Sequence, residues 1–176
     1  MRVIGLAGWS GAGKTTLIVR LIPELARRGF SVSTLKHAHH AFDIDKPGKD
    51  SYEHRAAGAS EVLIVSASRL ALMRELRGAP EPSLADLLRM FDAVDLVLIE
   101  GFRNEAHPKI EIFRSETGKE LRYPTDPHVV ALVSDLADPP AHLPHAHIDD
   151  VVGAADLVLA HAAPVETVIE QLQASS

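Results

Sequence analysis

The feature that most constrains this chain is a glycine-rich octapeptide near its start. Residues 8–15 read Gly-Trp-Ser-Gly-Ala-Gly-Lys-Thr and satisfy the pattern G-x-x-x-x-G-K-[ST]. The preceding segment, Arg2–Ala7, is largely apolar without alternation, as in a strand that is buried on both faces. Residues 14–28 carry apolar side chains at helical spacing, and Gly29 follows as a stop. The chain is therefore expected to turn tightly from a buried strand into an amphipathic helix.

A turn of this composition is suited to holding phosphate groups. Its glycines let backbone N–H groups point inward, and the helix that begins at Lys14 adds free N–H groups and the positive end of its dipole. We expect Lys14 to reach the β- and γ-phosphates of a nucleotide and the Thr15 hydroxyl to bind Mg²⁺. The alternative, an accidental glycine turn, is disfavoured by the strand before it and the helix after it. The nucleotide-binding residues predicted here are Gly8, Trp9, Ser10, Gly11, Ala12, Gly13, Lys14, Thr15 and Thr16.

A bound Mg²⁺ needs an anionic oxygen besides the Thr15 hydroxyl. Residues 95–100 form the next buried strand, and Glu100 stands at its carboxyl end, where ligands gather in parallel sheets. Asp95 stands at the opposite end, roughly 16 Å away at the rise of a strand. Glu100 and Thr15 are therefore the predicted metal ligands, and Glu100 and Lys14 the predicted catalytic residues. Two alternatives remain: Glu100 positions a water for hydrolysis, or it caps a strand in solvent.

The order of the segments predicts an α/β fold of the P-loop NTPase class. Strands that alternate with helices imply a mainly parallel sheet with helices on both faces, built as a single domain over residues 1–176. Residues 109–123 are predicted to form one antiparallel hairpin, because Ile110 and Ile112 alternate with charges before the turn residues Thr117 and Gly118. We place this hairpin at a subunit interface, since an exposed edge needs cover. The remaining predictions are strands at 30–36, 61–66, 69–74, 129–134 and 156–160, helices at 51–57, 83–91 and 164–173, and a loop at 135–147.

Composition excludes several classes of function. The formal net charge of −6 provides no basic field for nucleic acid. The chain contains no cysteine, which excludes disulfides, thiolate metal sites and a cysteine nucleophile. The first apolar segment runs into the glycine loop, unlike a signal peptide, and no apolar run approaches the roughly 20 residues that span a bilayer. We expect a cytoplasmic protein without nucleic-acid or membrane partners.

A polar segment, residues 36–51, leaves the second strand at the same carboxyl edge. It allows three interpretations: a transition-metal site, a switch-like loop that closes over the γ-phosphate, or ordinary solvated polarity. His39 and His40 are adjacent and would point to opposite faces of a strand, which weakens a simple chelate. From this part of the chain we assign Lys36, His37 and Asp50 to the nucleotide site.

These motifs together resemble the MobB family of molybdopterin-guanine dinucleotide biosynthesis adapter proteins. The resemblance runs in order from residue 1 to about 135. It rests on residues 8–15, Lys36-His37 with His39-His40, residues 45–51, Arg55 with residues 57–59, and Glu100-Gly101-Phe102. It implies a GTP-binding protein, at most a weak Mg²⁺-dependent GTPase. It also implies a homodimer that assists the MobA-family guanylyltransferase, the enzyme that attaches GMP to molybdopterin.

Base selectivity and two other functions stay open at this stage. The N-K-x-D motif that usually reads guanine is absent, although Asp135 or Asp138 follows a buried strand where that motif would lie. One alternative function is a small-molecule kinase using the same phosphate loop, with Asp43, Asp45 or Asp50 taking the acceptor proton. The other is a nickel metallochaperone, suggested by the histidines. Besides those at 37–40, His142, His145 and His147 lie close enough in sequence to suggest a metal site.

Overall fold

A computed structural model of the chain describes residues 1–38, 42–140 and 142–174. The helices are α1 (Lys14–Arg27), α2 (Asp50–Ala56), α3 (Leu84–Arg89), α4 (Val151–His161) and α5 (Val165–Ala174). The strands are β1 (Arg2–Ala7), β2 (Val32–Lys36), β3 (Glu61–Val65), β4 (Leu70–Arg74), β5 (Leu96–Glu100), β6 (Lys109–Phe113), β7 (Val129–Ser134), β8 (His145–His147) and β9 (Ala163–Pro164). The chain divides into two compact units: a first unit, Met1–His37 with Leu84–Ser176, and a second unit, Ala38–Ser83.

The first unit is built on one sheet. Within the described residues its strand order is β2–β5–β1–β6–β7–β8, with every neighbouring pair parallel, and β9 adds to β1 in the antiparallel direction. The register pairs Leu6 of β1 with Glu100, and Glu100 with Lys36 of β2. The ends of these three strands therefore meet at one edge of the sheet. The predicted α/β fold with a mainly parallel sheet is confirmed.

Helices cover both faces of this sheet, as predicted. On one face α1 and α4 pack over residues such as Ile4 and Leu98, and on the other α3 and α5 pack over Val3 and Val97. These strand residues are 0% exposed and alternate along β1 and β5, so each strand contributes to both cores. Among the helices of the described ranges, none is long and apolar enough to cross a membrane.

The second unit contains α2 and an antiparallel pair formed by β3 and β4. Its loop before α2 is held by Arg55, whose guanidinium lies 2.9 Å from Asp43, 3.3 Å from Asp45 and 2.8 Å from Glu75. The Ser51 hydroxyl also donates to Asp45, at 2.9 Å. Side-chain ion pairs, more than apolar packing, therefore fix the acidic part of the polar segment identified in the sequence.

The hairpin predicted at residues 109–123 is wrong. Residues 109–113 form β6, a buried strand parallel to both β1 and β7, and the antiparallel hairpin seen in the structure is β3–β4. The charges that suggested an exposed strand are buried and paired instead. Lys109 is 1% exposed and lies 3.1 Å from Asp126, while Glu111 is 0% exposed and accepts the backbone N–H groups of Arg122 and Tyr123 at 2.7 and 2.9 Å. The predicted subunit interface assumed an exposed hairpin edge, and it therefore loses its basis because β6 is an inner strand.

Near the C-terminus the strand predicted at 156–160 is also wrong, because these residues lie inside α4. The signal for this helix is its N-cap: the Asp150 carboxylate accepts the Gly153 N–H at 2.9 Å and satisfies one of the free donors of the first turn. The loop predicted at 135–147 ends in the short strand β8, which pairs with β7.

His107, in the segment before β6, is a buried polar residue that packs against β1. It is 0% exposed, and among the described residues neither of its ring nitrogens has a hydrogen-bond partner. A β-carbon at Gly5 would overlap its Nε2, so glycine is the residue that leaves room for the ring. Burial is the main cause that lowers the pKa of His107 to about 3, and the nearby Lys109 lowers it further.

This buried imidazole makes stability depend on pH. The unfolded chain binds a proton near the ordinary pKa of 6.5, whereas native His107 does so only near 3, so stability is lost as the pH falls from 6.5 towards 3. We predict that the parent loses about 2 kcal/mol more unfolding free energy than His107→Leu between pH 7 and pH 5. Urea unfolding at both pH values measures the difference. Equal losses in the two proteins would contradict it.

Candidate functional site

The glycine loop between β1 and α1 forms an open cradle. Gly8, Gly11 and Gly13 have φ values of 145°, 84° and 95°, which side-chain-bearing residues rarely adopt. Gly13 is the N-cap of α1 and provides no side-chain cap, so no side chain satisfies the first-turn N–H groups of the helix from that position. These donors, with the helix dipole, favour an anion at this point.

Lys14 lies across the mouth of this loop. Its Nζ donates to the carbonyl oxygens of Gly8 and Trp9 at 2.8 and 2.9 Å. Burial lowers the pKa of Lys14, and the neighbouring Glu100 partly offsets this effect. The ammonium group is thus held at the loop by backbone oxygens, where it adds a positive charge to the cradle.

Glu100 faces the start of α1 from the end of β5. The Thr15 hydroxyl donates to its Oε1 at 2.9 Å, and Lys36 Nζ lies 3.4 Å from the same carboxylate. Asp95, the competing acid of this strand, accepts from the backbone N–H and hydroxyl of Ser31 at 2.8 and 2.6 Å at the far end. The structure therefore brings together Thr15, Glu100 and Lys36, and leaves Asp95 as a structural cap.

These side chains line one open pocket of about 420 Å³. Its lining residues, all among those predicted from the sequence, are Ser10, Gly11, Gly13, Lys14, Thr15, Thr16, Lys36 and Glu100. Gly8 and Ala12 form the underside of the loop, Gly8 against the carbonyl of Ile112 and Ala12 at 1% exposure. The Trp9 side chain turns away from the pocket to the carbonyl of Glu120, to which its Nε1 donates at 2.8 Å.

His37 and Asp50, the other described residues assigned to the nucleotide site, are not among the residues that line this pocket. The His37 backbone N–H donates to the Glu100 carbonyl at 2.8 Å, and its ring packs on Phe102 with centroids 4.7 Å apart. Asp50 begins α2 in the second unit, so a nucleotide contact from it stays a prediction. His39 and His40 lie outside the described residues.

Other histidines do not assemble a metal site. Over the described ranges, no group of three or more His, Cys, Asp or Glu side chains is placed to hold a metal ion. His145 instead makes a 3.0 Å hydrogen bond with Ser134, and His142 packs against Tyr123.

Asp135, one of the two acids considered for guanine recognition, accepts hydrogen bonds from the backbone N–H and hydroxyl of Ser115, and these bonds lower its pKa.

One residue beside the loop was missed by the sequence analysis. The Arg114 Nε would lie 3.3 Å from a β-carbon at Gly13, so its guanidinium rests against the phosphate loop. The available signal was its place directly after a buried strand, at the carboxyl edge of the sheet. Because residues 109–123 were predicted to form a hairpin, Arg114 was placed within that hairpin and not after the end of a parallel strand.

The sheet order, the glycine loop after an inner strand and the helix that starts at its lysine define the P-loop NTPase fold. Residues 3–135 match the family described as Molybdopterin guanine dinucleotide synthesis protein B, MobB. The chain is 44% identical over 162 residues to the molybdopterin-guanine dinucleotide biosynthesis adapter protein of Escherichia coli (strain K12), covering 89% of this chain and 91% of that protein. The Haemophilus influenzae protein of the same name is 44% identical over 136 residues, covering 76% and 74%.

A solved structure agrees with these sequence matches. The crystal structure of Bacillus subtilis MobB gives a TM-score of 0.70 at 28% identity, covering 92% of this chain and 98% of that one. The chain belongs to the MobB family, which confirms the resemblance seen in its sequence. The comparisons do not support the small-molecule kinase alternative.

Gly101 couples the end of β5 to the end of β2. Its φ is 104°, and a β-carbon there would lie 2.7 Å from His37 Cβ. Gly29, with φ of 89°, has a similar backbone demand, but a β-carbon there meets no described atom within 4 Å. We predict that Gly101→Ala loses about 1–3 kcal/mol more unfolding free energy than Gly29→Ala, because it adds a steric clash to the same backbone strain. Denaturant unfolding of both variants measures this, and equal losses would contradict it.

Proposed function

We propose that this chain binds GTP with Mg²⁺ and acts as an adapter in molybdenum cofactor biosynthesis. In this role it assists the MobA-family guanylyltransferase that converts molybdopterin to its guanine dinucleotide form. The observation that carries the nucleotide site is the 2.9 Å contact between the Thr15 hydroxyl and the Glu100 carboxylate, next to the phosphate loop. The names of the related adapter proteins support the pathway.

The donor set fits Mg²⁺. A hydroxyl and a carboxylate are hard oxygen ligands of the kind that this cation prefers, and Thr15 and Glu100 present both at one point. Mg²⁺ bound there would neutralise phosphate charge and orient the terminal phosphates. A metal between these two groups would take the place of their mutual hydrogen bond. Their contact supports the proposal, because the two candidate ligands already lie at the same position.

The chain's own groups supply the rest of the phosphate site. The free N–H groups at the start of α1 and the Lys14 ammonium face the cradle, and Ser10 and Thr16 line it. Lys36, 3.4 Å from Glu100, adds a second cation on the side of β2. A terminal phosphate on that side would attract Lys36 away from Glu100 and free the carboxylate for the metal. The contacts of His37 and Asp50 with the nucleotide, which the sequence predicts, are part of this proposal.

An adapter role agrees with what surrounds the nucleotide site. The residues expected to bind phosphate and metal, Lys14, Thr15 and Glu100, line one pocket. Asp43 and Asp45, two of the acids that a kinase would use as a general base, are instead paired with Arg55. Binding energy from GTP is then available to bias a surface that a partner reads. The proposed partner transfers GMP, a guanine nucleotide, which favours GTP over ATP. A GTP-dependent step in this pathway also implies a cytoplasmic location.

We further propose that the chain forms a homodimer through β3 and β4. Cross-strand pairs Leu63–Leu72 and Val65–Leu70 share one face of this pair, and these side chains are 43–69% exposed. An isolated two-stranded sheet is marginally stable, and exposed apolar faces of this kind are usually covered. A second copy of the same face matches it, because a two-fold axis places aliphatic residues against aliphatic residues.

Reconstitution tests the adapter function. Purified guanylyltransferase, molybdopterin, molybdate and GTP should yield the dinucleotide cofactor faster, or in higher yield, when this chain is added. Lys14→Ala should bind GTP at least about tenfold more weakly, because it removes a charged donor from the phosphates, and should give no stimulation. Arg89→Ala, which removes an exposed cation on α3, should stimulate like the parent.

Two outcomes would contradict this function. The first is a reaction rate that the chain does not change at saturating GTP. The second is phosphorylation of a small molecule from ATP by the chain alone, at the turnover of ordinary enzymes of about 1–10³ s⁻¹.

The dimer is tested by sedimentation velocity at micromolar concentration. Leu63→Lys should shift the parent dimer to monomer, because it places a charge in the apolar face. Met90→Lys is the matched control: Leu63 and Met90 are each 60% exposed, but Met90 lies in the first unit. A monomeric parent, or a Leu63→Lys variant that remains dimeric, would contradict the proposed interface.

A further inference from the structure

Trp9 links the phosphate loop to a segment that the nucleotide site does not otherwise use. We call residues 118–126 the clamp segment. The Trp9 Nε1 donates to the Glu120 carbonyl at 2.8 Å. Lys119 Nζ and the Arg122 guanidinium lie 5.9 and 5.5 Å from the centroid of the same ring, within the range of a cation–π contact. One side chain of the loop therefore makes a directional bond and two ring contacts with the clamp segment.

The clamp segment is itself anchored to the core of the sheet. Glu111, 0% exposed on β6, accepts the backbone N–H groups of Arg122 and Tyr123 at 2.7 and 2.9 Å. Asp126, at the other end of the segment, pairs with buried Lys109 at 3.1 Å. Two consecutive N–H groups on one buried carboxylate leave the backbone little freedom. The segment is thus a fixed platform against which Trp9 rests.

The main chain of Trp9 belongs to the phosphate site. Its carbonyl accepts from Lys14 Nζ at 2.9 Å and from the Ala12 N–H at 3.2 Å. The residue whose side chain touches the platform thus also orients the lysine and the inner turn of the loop. A backbone shift that moves this carbonyl also moves the Cα atom from which the ring projects, so the geometry of the loop affects the contact of the ring with the clamp segment.

The contact is incompletely satisfied. Arg122 Nε is buried, and among the described residues it has no hydrogen-bond partner. An unpaired buried donor costs free energy, and the ring contact of the Arg122 guanidinium with Trp9 offsets part of this cost. An interaction that holds Trp9 in this position should therefore also stabilise the docked clamp segment.

We propose that Trp9 and Arg122 are positioning residues for the phosphate loop, and that nucleotide binding and docking of the clamp segment strengthen each other. This proposal rests on the proposed nucleotide function and goes beyond it by naming the surface that responds. Coupling between two sites is reciprocal: if the docked segment increases affinity for the phosphates, phosphates stabilise the docked segment by the same factor. The clamp segment is then a nucleotide-dependent surface beside the site.

Affinity is the first readout, measured by calorimetry with GTP and Mg²⁺. Trp9→Leu removes both the bond and the ring and should weaken binding about tenfold, whereas Trp9→Phe keeps a ring and should lose less. Arg122→Ala lies outside the loop and should also weaken binding, by about three- to fivefold. Glu116→Gln, an exposed change just before the segment, is the control and should bind like the parent.

Hydrogen exchange is the second readout. Saturating GTP and Mg²⁺ should slow exchange of the Arg122 and Tyr123 amides in the parent, and should leave them unchanged in Trp9→Leu. Because Trp9 is the single tryptophan of the chain, its emission reports whether the ring environment changes in the same titration. Parent emission should change with GTP, and the emission of Lys14→Ala should not.

The outcomes separate this proposal from the function on which it rests. If Trp9→Leu and Arg122→Ala bind GTP within twofold of the parent while Lys14→Ala loses binding, the nucleotide site stands and the clamp is wrong. The proposed coupling is also wrong if bound GTP does not slow exchange of the Arg122 and Tyr123 amides in the parent. If Lys14→Ala binds GTP as well as the parent, the nucleotide function fails and the clamp fails with it. Circular dichroism of each variant confirms that it is folded.

Discussion

The pairing of β1 with β5 is the constraint on which the site depends. In this register Leu6 lies beside Glu100, so the loop that follows β1 and the acid that ends β5 emerge at the same edge. The helix after the loop then presents Thr15 to Glu100 at 2.9 Å. A shift of one residue would carry the acid away from the hydroxyl and would move the apolar side chains of the shifted strand to the opposite core, where they do not fit the existing packing. Apolar burial on the two faces thus also fixes the chemistry at the edge.

Side chains of opposite charge lie close together at this edge of the sheet. Lys14 and Lys36 face Glu100, and Lys14 is further held by loop carbonyls. The Glu100 carboxylate offsets the mutual repulsion of these two cations. Under the proposed function, a bound phosphate group would give each cation a new partner. At the same edge the backbone of Gly101 lies close to His37, so the ends of β5 and β2 are in contact.

The sequence was sufficient for parts of the fold that depend on local chemistry. The phosphate loop, α1 and the acid at the end of β5 follow from residue types at short spacing, and each lies where it was predicted. β6 was misassigned to a hairpin because its charged side chains are buried against a later part of the chain. Lys109 pairs with Asp126 and Glu111 accepts backbone N–H groups, and these contacts leave no periodic signal. Trp9 carried no sign of its partner either, since Glu120 is 111 positions away. Long-range burial of polar groups thus accounts for the main errors in the fold and for the missed contact.

The most direct test of the nucleotide site is a Mg²⁺ titration followed by calorimetry. GTP and GDP are each titrated into the parent and into Glu100→Gln, with and without Mg²⁺. We predict that Mg²⁺ increases GTP affinity in the parent, and that Glu100→Gln loses most of this increase while its affinity for GDP changes little. Superimposable Mg²⁺ dependence in the two proteins would contradict the assignment of Glu100 to the metal and leave it as the cap of a strand.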